Sequence, residues 1–174
     1  MVADPTRPVS SIDVLDGAEL ARLDQWSNRA TLTQAAHTPV SIPALFAAQA
    51  QRVPEAVALT WGERSWTYRE LDEITNRFTH LLADNGIGPG QRVALLLPRS
   101  AEAIMAILAV LKTGAAYVPI DPAAPQARMK LILDDAAPTV AITNPELAER
   151  LAEQDLRIID AQDIHADAGH PGTA

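Results

Sequence analysis

The sequence contains no cysteine. That excludes a disulfide framework, a thiol nucleophile and Cys-ligated zinc, and it fits a reducing compartment. Aromatic residues are scarce: they make up 4% of the 174 residues although 48% are hydrophobic. The core must therefore rest on Ala and aliphatic side chains, each burying less area than a ring. Basic residues are also in deficit, with 14 Lys and Arg scattered among 22 Asp and Glu and a formal net charge of −8. A nucleic-acid surface needs clustered cations, so that class of partner is excluded. No long apolar run is present. The greasiest stretch, residues 104–111, falls well short of the roughly 20 residues a bilayer helix requires. The opening MVADPTRPVSSID has no apolar centre of the kind a secretory signal needs. Together these absences predict a soluble, cytoplasmic protein with neither a membrane nor a nucleic-acid partner.

What is present is organised by period. Residues 1–16 read as a polar leader, and Leu20, Leu23 and Trp26 at helical spacing predict a short amphipathic helix over 17–28. Residues 29–41, rich in Thr, Ala and Pro, read as a connector. A helix is predicted over 42–52, with Pro43 in its first turn. Two extended runs, 57–61 and 64–67, flank Gly62-Glu63 and predict a hairpin. Thr67 and Glu70 then match a capping box, followed by Leu71, Ile74, Phe78, Leu81 and Leu82 on one helical face, with Gly86 as the stop. From there strands and helices alternate. Strands are predicted at 92–97, 116–120, 139–143 and 157–160, with helices at 100–113, 125–136 and 145–153, the last capped by Asn144. Such alternation predicts an α/β fold of mostly parallel strands with helices on both faces. The helix from Ser100 is apolar almost all round, so it is expected to be buried on more than one side. The predicted division is a leader and connector (1–41), a folded portion (42–165) and a disordered Gly- and Pro-bearing tail (166–174).

Few residues offer chemistry. Gly86, Gly88 and Gly90 follow a helix and precede a strand, the reverse of a dinucleotide-binding turn, so they read as a helix cap and turn. Lys112, Thr113 and Gly114 lack the upstream glycine of a phosphate loop; Lys112 reads as a cation complementing a helix C-terminus. His37, His80, His165 and His170 show no metal-ligand spacing, and no Gly-x-Ser-x-Gly elbow supports an esterase triad. Asp121 follows the apolar strand 116–120, where doubly wound sheets gather ligands, yet Asp121-Pro122 is also ordinary turn chemistry. Asp134 and Asp135 close a helix without forming an acid/base pair. No catalytic, cofactor-binding or metal-binding residue is assigned.

Two segments carry a family likeness. Trp66-Thr67-Tyr68-Arg69-Glu70-Leu71 resembles the first core motif of the adenylation domains of nonribosomal peptide synthetases. The run from Leu111 through Lys112, Gly114, Tyr117 and Pro119 to Asp121 resembles the second. The likeness covers roughly residues 42–160, and the stretch holding Leu20, Leu23 and Trp26 is similar to the connector between condensation and adenylation domains. Ala124 and Ala127 depart from the Tyr or His and the Glu common in the family, which touches local packing only. The resemblance implies the N-terminal subdomain of the adenylate-forming fold. Its members use ATP and Mg²⁺ to activate an amino acid and load it on a carrier-protein phosphopantetheine. In the family that work falls to a Ser/Thr/Gly-rich loop ending in Pro-Lys-Gly, substrate-pocket residues, an adenosine-binding Asp and a C-terminal Lys. No residue here matches any of them. The motif residues Thr67, Tyr68, Glu70, Leu71, Lys112, Gly114, Tyr117, Pro119 and Asp121 are therefore expected to be structural, and this fragment to be inactive alone and to bind no cofactor. The implied partners are the rest of the synthetase or a small MbtH-like activator. The alternative is a non-catalytic interaction module or split subunit.

Overall fold

Asp16 opens the first helix of the computed structural model, which describes residues 15–27 and 39–165. Most of the leader and connector, with His37, and the predicted disordered tail, with His170, lie outside the described residues. Helix α1 (Gly17–Trp26) starts on a capping box: Asp16 accepts from the Ala18 and Glu19 amides, and Glu19 accepts from the Asp16 amide. It ends two residues before the predicted bound. It belongs to a unit of its own, Met1–Pro39, separate from Val40–Ala174. Leu20, Leu23 and Trp26 share its apolar side and all three are exposed.

In the second unit, Ser41 caps α2 (Ile42–Arg52) by accepting from the Ala44 amide. Strands β1 (Val57–Trp61) and β2 (Arg64–Thr67) form an antiparallel hairpin turning at Gly62, whose φ is +60°. Thr67 ends the hairpin and caps α3 (Tyr68–Asp84). Its hydroxyl oxygen accepts from the Glu70 amide at 3.2 Å, and the Glu70 carboxylate accepts from the Thr67 amide at 2.8 Å. The helix stops in a Schellman arrangement. The Ile87 amide donates to the Leu82 carbonyl, and that of Gly86, at φ +80°, to Ala83. Leu82 and Ile87 are both buried, the apolar contact that accompanies this cap.

The Thr67 bonds also hold the Glu70 carboxyl below the usual carboxylate range, the backbone amide being the larger cause. A depressed carboxylate contributes stability that is present above its unfolded pKa and lost as pH falls through the folded one. Thr67→Ala is expected to destabilise the protein by about 1 kcal/mol, the ordinary cost of an N-cap. Urea denaturation checks it: the midpoint should fall at constant m, and an unchanged midpoint would count against this helix start.

Beyond α3 lie β3 (Arg92–Leu96), α4 (Ala101–Lys112), β4 (Ala116–Ile120), α5 (Gln126–Ala136), β5 (Val140–Thr143), α6 (Pro145–Ala148) and β6 (Arg157–Asp160). The predicted helix 145–153 instead tightens into a 3₁₀ turn after Ala148, and a second 3₁₀ turn, Ala161–His165, follows β6. The sheet order is β4-β3-β5-β6, and every neighbouring pair is parallel. Alternate residues of β3 and β5 serve opposite faces. Val93, Leu95, Val140 and Ile142 pack with α3, α4 and the last 3₁₀ turn. Ala94, Leu96 and Ala141 pack with Met129 and Leu133 of α5. Helices thus cover both faces, as the apolar runs of the strands require. Helix α4 buries Ala101, Met105, Ala106, Leu108, Ala109 and Val110 between sheet and α3, while Ile104 is exposed. No helix among the described residues is long and apolar enough to cross a membrane.

Candidate functional site

The chain leaves β3 for α4 on one face and leaves β4 for α5 on the other, so the winding reverses between β3 and β5. Ligands of doubly wound sheets gather outside the carboxyl ends of strands at that reversal. Two hollows lie at the carboxyl ends of the strands, the first beside β3 and β4 and the second at the reversal, beside β3, β5 and β6. One, of about 560 Å³, is lined by Pro98, Arg99, Pro119, Asp121, Pro122 and neighbours. The other, of about 230 Å³, is lined by Leu97, Pro98, Ser100, Glu102, Asn144, Ala161, Gln162 and His165.

Asp121 sits at the rim of the larger hollow. Its Oδ1 accepts from the Ala123 amide at 2.8 Å, closing the loop on itself. Arg150 reaches back to that loop, donating to the Pro122 carbonyl and, at 2.7 Å, to the Ala124 carbonyl. Tyr117 and Pro119 lie on β4, which is an edge strand; both are exposed. Proline is tolerated at such an edge because the missing amide need not serve the ladder. The Ala116 amide donates inward, to the Gln91 carbonyl. By alternation the Tyr117 and Pro119 backbones face outward, and the open edge is short of donors.

The smaller hollow mixes apolar and polar lining, and Ser100, Glu102, Asn144 and His165 are each bonded within the fold. Ser100 accepts from the Ala103 amide and Asn144 Oδ1 from the Leu147 amide. Glu102 lies in the first turn of α4, 3.1 Å from His165 Nε2. Partial burial pushes its carboxyl up. Hydrogen bonds from its own backbone amide, His165 and Ser100 outweigh that and hold it below the ordinary carboxylate range. An ionised carboxylate at the helix N-terminus repels phosphate where the helix would otherwise attract it. Among the described residues no group of three or more His, Cys, Asp or Glu could hold a metal ion. The lining of this smaller hollow, with an ionised carboxylate at the helix start, does not fit a triphosphate with its Mg²⁺.

The two sequence motifs meet elsewhere, on the far side of α4. Lys112 does stand in the last turn of its helix, but its ammonium does more than complement the dipole. It crosses to α3 and donates to Asp72 Oδ1 at 2.7 Å, Thr75 Oγ1 at 2.7 Å and Asn76 Oδ1 at 2.6 Å. It also lies 5.4 Å from the centre of the Phe46 ring on α2, and that ring tilts against Tyr68 at 5.7 Å. Burial lowers the Lys112 pKa, and Asp72 opposes the shift. The first motif (Tyr68) and the second (Lys112) are thus joined through Phe46, Asp72, Thr75 and Asn76. Leu71 is buried beside them. Gly114 ends α4 with φ +81°, and a Cβ there would stand 3.0 Å from Pro89 Cγ. His80 lines an open groove with Asp72, Asn76 and Lys112.

Asp72, Thr75 and Asn76 could have been found from sequence, since their i, i+3, i+4 spacing puts three polar groups beside the apolar stripe of α3. Nothing in sequence marks the contact of Glu102 with His165 or of Arg150 with the loop after Asp121, because their partners come from distant segments.

Residues 46–171 match the family model for AMP-binding enzymes. The chain is 58% identical over 173 residues to the isonitrile lipopeptide synthase of Mycobacterium tuberculosis, covering 99% of this chain and 7% of that protein. It is 38% identical to CymA of Salinispora arenicola, a probable non-canonical nonribosomal peptide synthetase, over 92% of this chain and 2% of that one. The fold resembles the N-terminal subdomain of NpsA from Klebsiella oxytoca. The TM-score is 0.66 at 27% identity, across 71% of this chain and 32% of the other. The chain therefore belongs to the AMP-binding enzyme family and corresponds to the N-terminal portion of a nonribosomal peptide synthetase adenylation domain.

Proposed function

We propose that these 174 residues form the framework end of an amino-acid-activating unit and supply no catalytic group of their own. In this reading the whole unit condenses an amino acid with ATP to an aminoacyl adenylate and passes it to a carrier phosphopantetheine. Residues 1–41 serve as the connector from a preceding domain, 42–165 as the framework proper and 166–174 as a tail. The motif residues act structurally. Thr67 and Glu70 start α3, and Tyr68, Leu71 and Lys112 fix α2, α3 and α4 together. Gly114, Tyr117, Pro119 and Asp121 shape the turn, strand and loop after α4.

The observation that carries this reading is the commitment of the polar groups. Lys112 gives its three protons to α3, and at the strand ends an ionised Glu102 occupies the α4 N-terminus. Adenylyl transfer needs positioned cations and donors around the phosphates, and Lys112, the cation of the second motif, is already engaged within the fold. The chain by itself is expected to catalyse no amino-acid-dependent exchange of pyrophosphate into ATP. Exchange above a heat-treated control, in a preparation cleared of host synthetases, would overturn the proposal.

A second role, as a subunit docking the remainder of such a domain or an MbtH-like activator, is favoured by the open β4 edge with Tyr117 37% exposed. Adding the purified remainder of the relative's adenylation domain separates the two: restored exchange activity marks a split enzyme, and capture without activity marks an interaction module.

A further inference from the structure

Between Ile120, at the end of β4, and Met129, in α5, no residue is buried. Residues 121–128 therefore have no anchor in the core. Helix α5 also starts without a side-chain cap, because Pro125 stands at its N-cap and offers no side-chain oxygen. Asp121 shapes the loop locally: its Oδ1 accepts from the Ala123 amide and its carbonyl from the Ala124 amide. Those bonds tie the loop to nothing beyond itself. The tie comes from Arg150, in the 3₁₀ turn Glu149–Leu151 that follows α6. The neighbouring Leu151 is 1% exposed and packs in the core with Leu96, Met129 and Leu133, so the base of the Arg150 side chain is fixed. Its Nη1 donates to the Pro122 carbonyl and its Nη2 to the Ala124 carbonyl at 2.7 Å. Gln126, in the first turn of α5, returns a bond from Nε2 to the Arg150 carbonyl at 2.9 Å. Pro122 and Ala124 are the two half-buried residues of the otherwise exposed stretch 121–128.

We propose that Arg150 is a positioning residue whose guanidinium fork straps the β4–α5 loop to the turn after α6 and so sets the rim of the 560 Å³ hollow at the strand ends. It acts through Asp121, Pro122 and Ala123, which line that hollow. The guanidinium suits the task, being planar, permanently charged and armed with donors at a fixed spread, so it holds two carbonyls of one short stretch at a set separation. The strap does not satisfy the free amides at the start of α5. It fixes the backbone that leads into them, which a local cap would otherwise do. Burial cannot supply that order, since the side chains nearest the loop that reach the core are Ile120 and Met129 at its two ends. The strap holds the loop whatever the hollow accepts, and it stands apart from the activity proposed above.

Amide hydrogen exchange of Ala123 and Ala124, followed by NMR in the whole chain, tests the strap. In Arg150→Ala both amides should exchange about tenfold faster, the scale of losing hydrogen bonds from a charged donor, while the amides of β3 and β5 keep their rates. Arg150→Lys keeps the charge but offers a point donor in place of a fork, so its acceleration should be smaller, about threefold. Unchanged exchange at Ala123 and Ala124 in Arg150→Ala overturns the proposal. So does an acceleration shared equally by β3 and β5, which would mark Arg150 as a general stabiliser with no particular hold on the loop. The parent chain supplies a second measurement that needs no variant to fold. With both Nη groups anchored, rotation about the Cζ–Nε bond is blocked. The Arg150 guanidinium protons should then give separate NMR signals at a temperature where those of the exposed Arg128 are averaged. A single averaged signal from Arg150 under those conditions overturns the fork.

Discussion

Asp72→Ala is expected to destabilise the protein by about 3 kcal/mol, read as a lowered urea midpoint at constant m. The Lys112 side chain is 11% exposed and Asp72 is 30% exposed. Removing one partner of a buried ion pair costs about 3–5 kcal/mol because the other charge is left without compensation. The partial exposure of Asp72 places this case at the lower end. Thr75 and Asn76 keep their neutral acceptors, which soften the loss but do not cancel the charge. Lys112→Met in the Asp72→Ala background should recover part of the stability, since the orphaned ammonium is then gone. The pH dependence has a definite sign. Burial already lowers the Lys112 pKa and Asp72 opposes that shift, so loss of Asp72 lowers it further. The unfolded chain then binds the proton more tightly than the folded one, and the variant should gain stability as pH rises towards the ordinary lysine value. A variant as stable as the parent, or one whose stability falls with rising pH over that window, would show that Lys112 does not depend on Asp72.

Gly114→Val is expected to cost about 3 kcal/mol as well, from two separable sources. At φ +81° an L side chain pays about 1–2 kcal/mol in backbone sterics. The added Cβ also meets Pro89 Cγ at 3.0 Å, and a β-branched side chain cannot turn all its atoms away. Gly114→Ala should lie between Val and the parent. Replacing Pro89 by Ala should relieve the steric part of the Val penalty and leave the backbone part. A double-mutant cycle on thermal or urea midpoints reads this as a coupling of about 1 kcal/mol. Strict additivity would mean that the Pro89 contact carries no energy and that backbone conformation alone demands glycine.

Both positions illustrate what a sequence can and cannot convey. The alternation of strands and helices was legible because its signals are local. Thr67 and Glu70 are three residues apart, Gly86 sits at the end of its own helix, and the apolar runs of β3 and β5 state by themselves that both faces must be covered. Predicted and observed bounds coincide for α2, β1, β2, β4 and β6. They differ by one residue at an end of β3, α5 and β5 and at both ends of α4, by two at α1, which stops sooner, and where the 145–153 helix tightens to a 3₁₀ turn, since element ends depend on partners that no pattern specifies. The family likeness was legible too, because residues 66–71 and 111–121 are contiguous.

By itself, then, the sequence determined the element order, the parallel α/β class, the caps at Thr67, Gly86 and Asn144, and the family. Tertiary structure decided the strand order β4-β3-β5-β6 and therefore which strand, β4, is left at an edge with Tyr117 exposed. It also decided that Lys112 turns from its own helix terminus to Asp72, Thr75 and Asn76 on α3, 36 to 40 residues earlier in the chain, and that Glu102 finds His165, 63 residues later. The physical reason is common to all of these. Helix caps, turns and apolar periods are satisfied within a few residues of backbone, so they are written where they act. A buried cation or a strand edge is satisfied by whatever the chain's return path brings beside it, and that path is fixed only when helices close over both faces of the sheet.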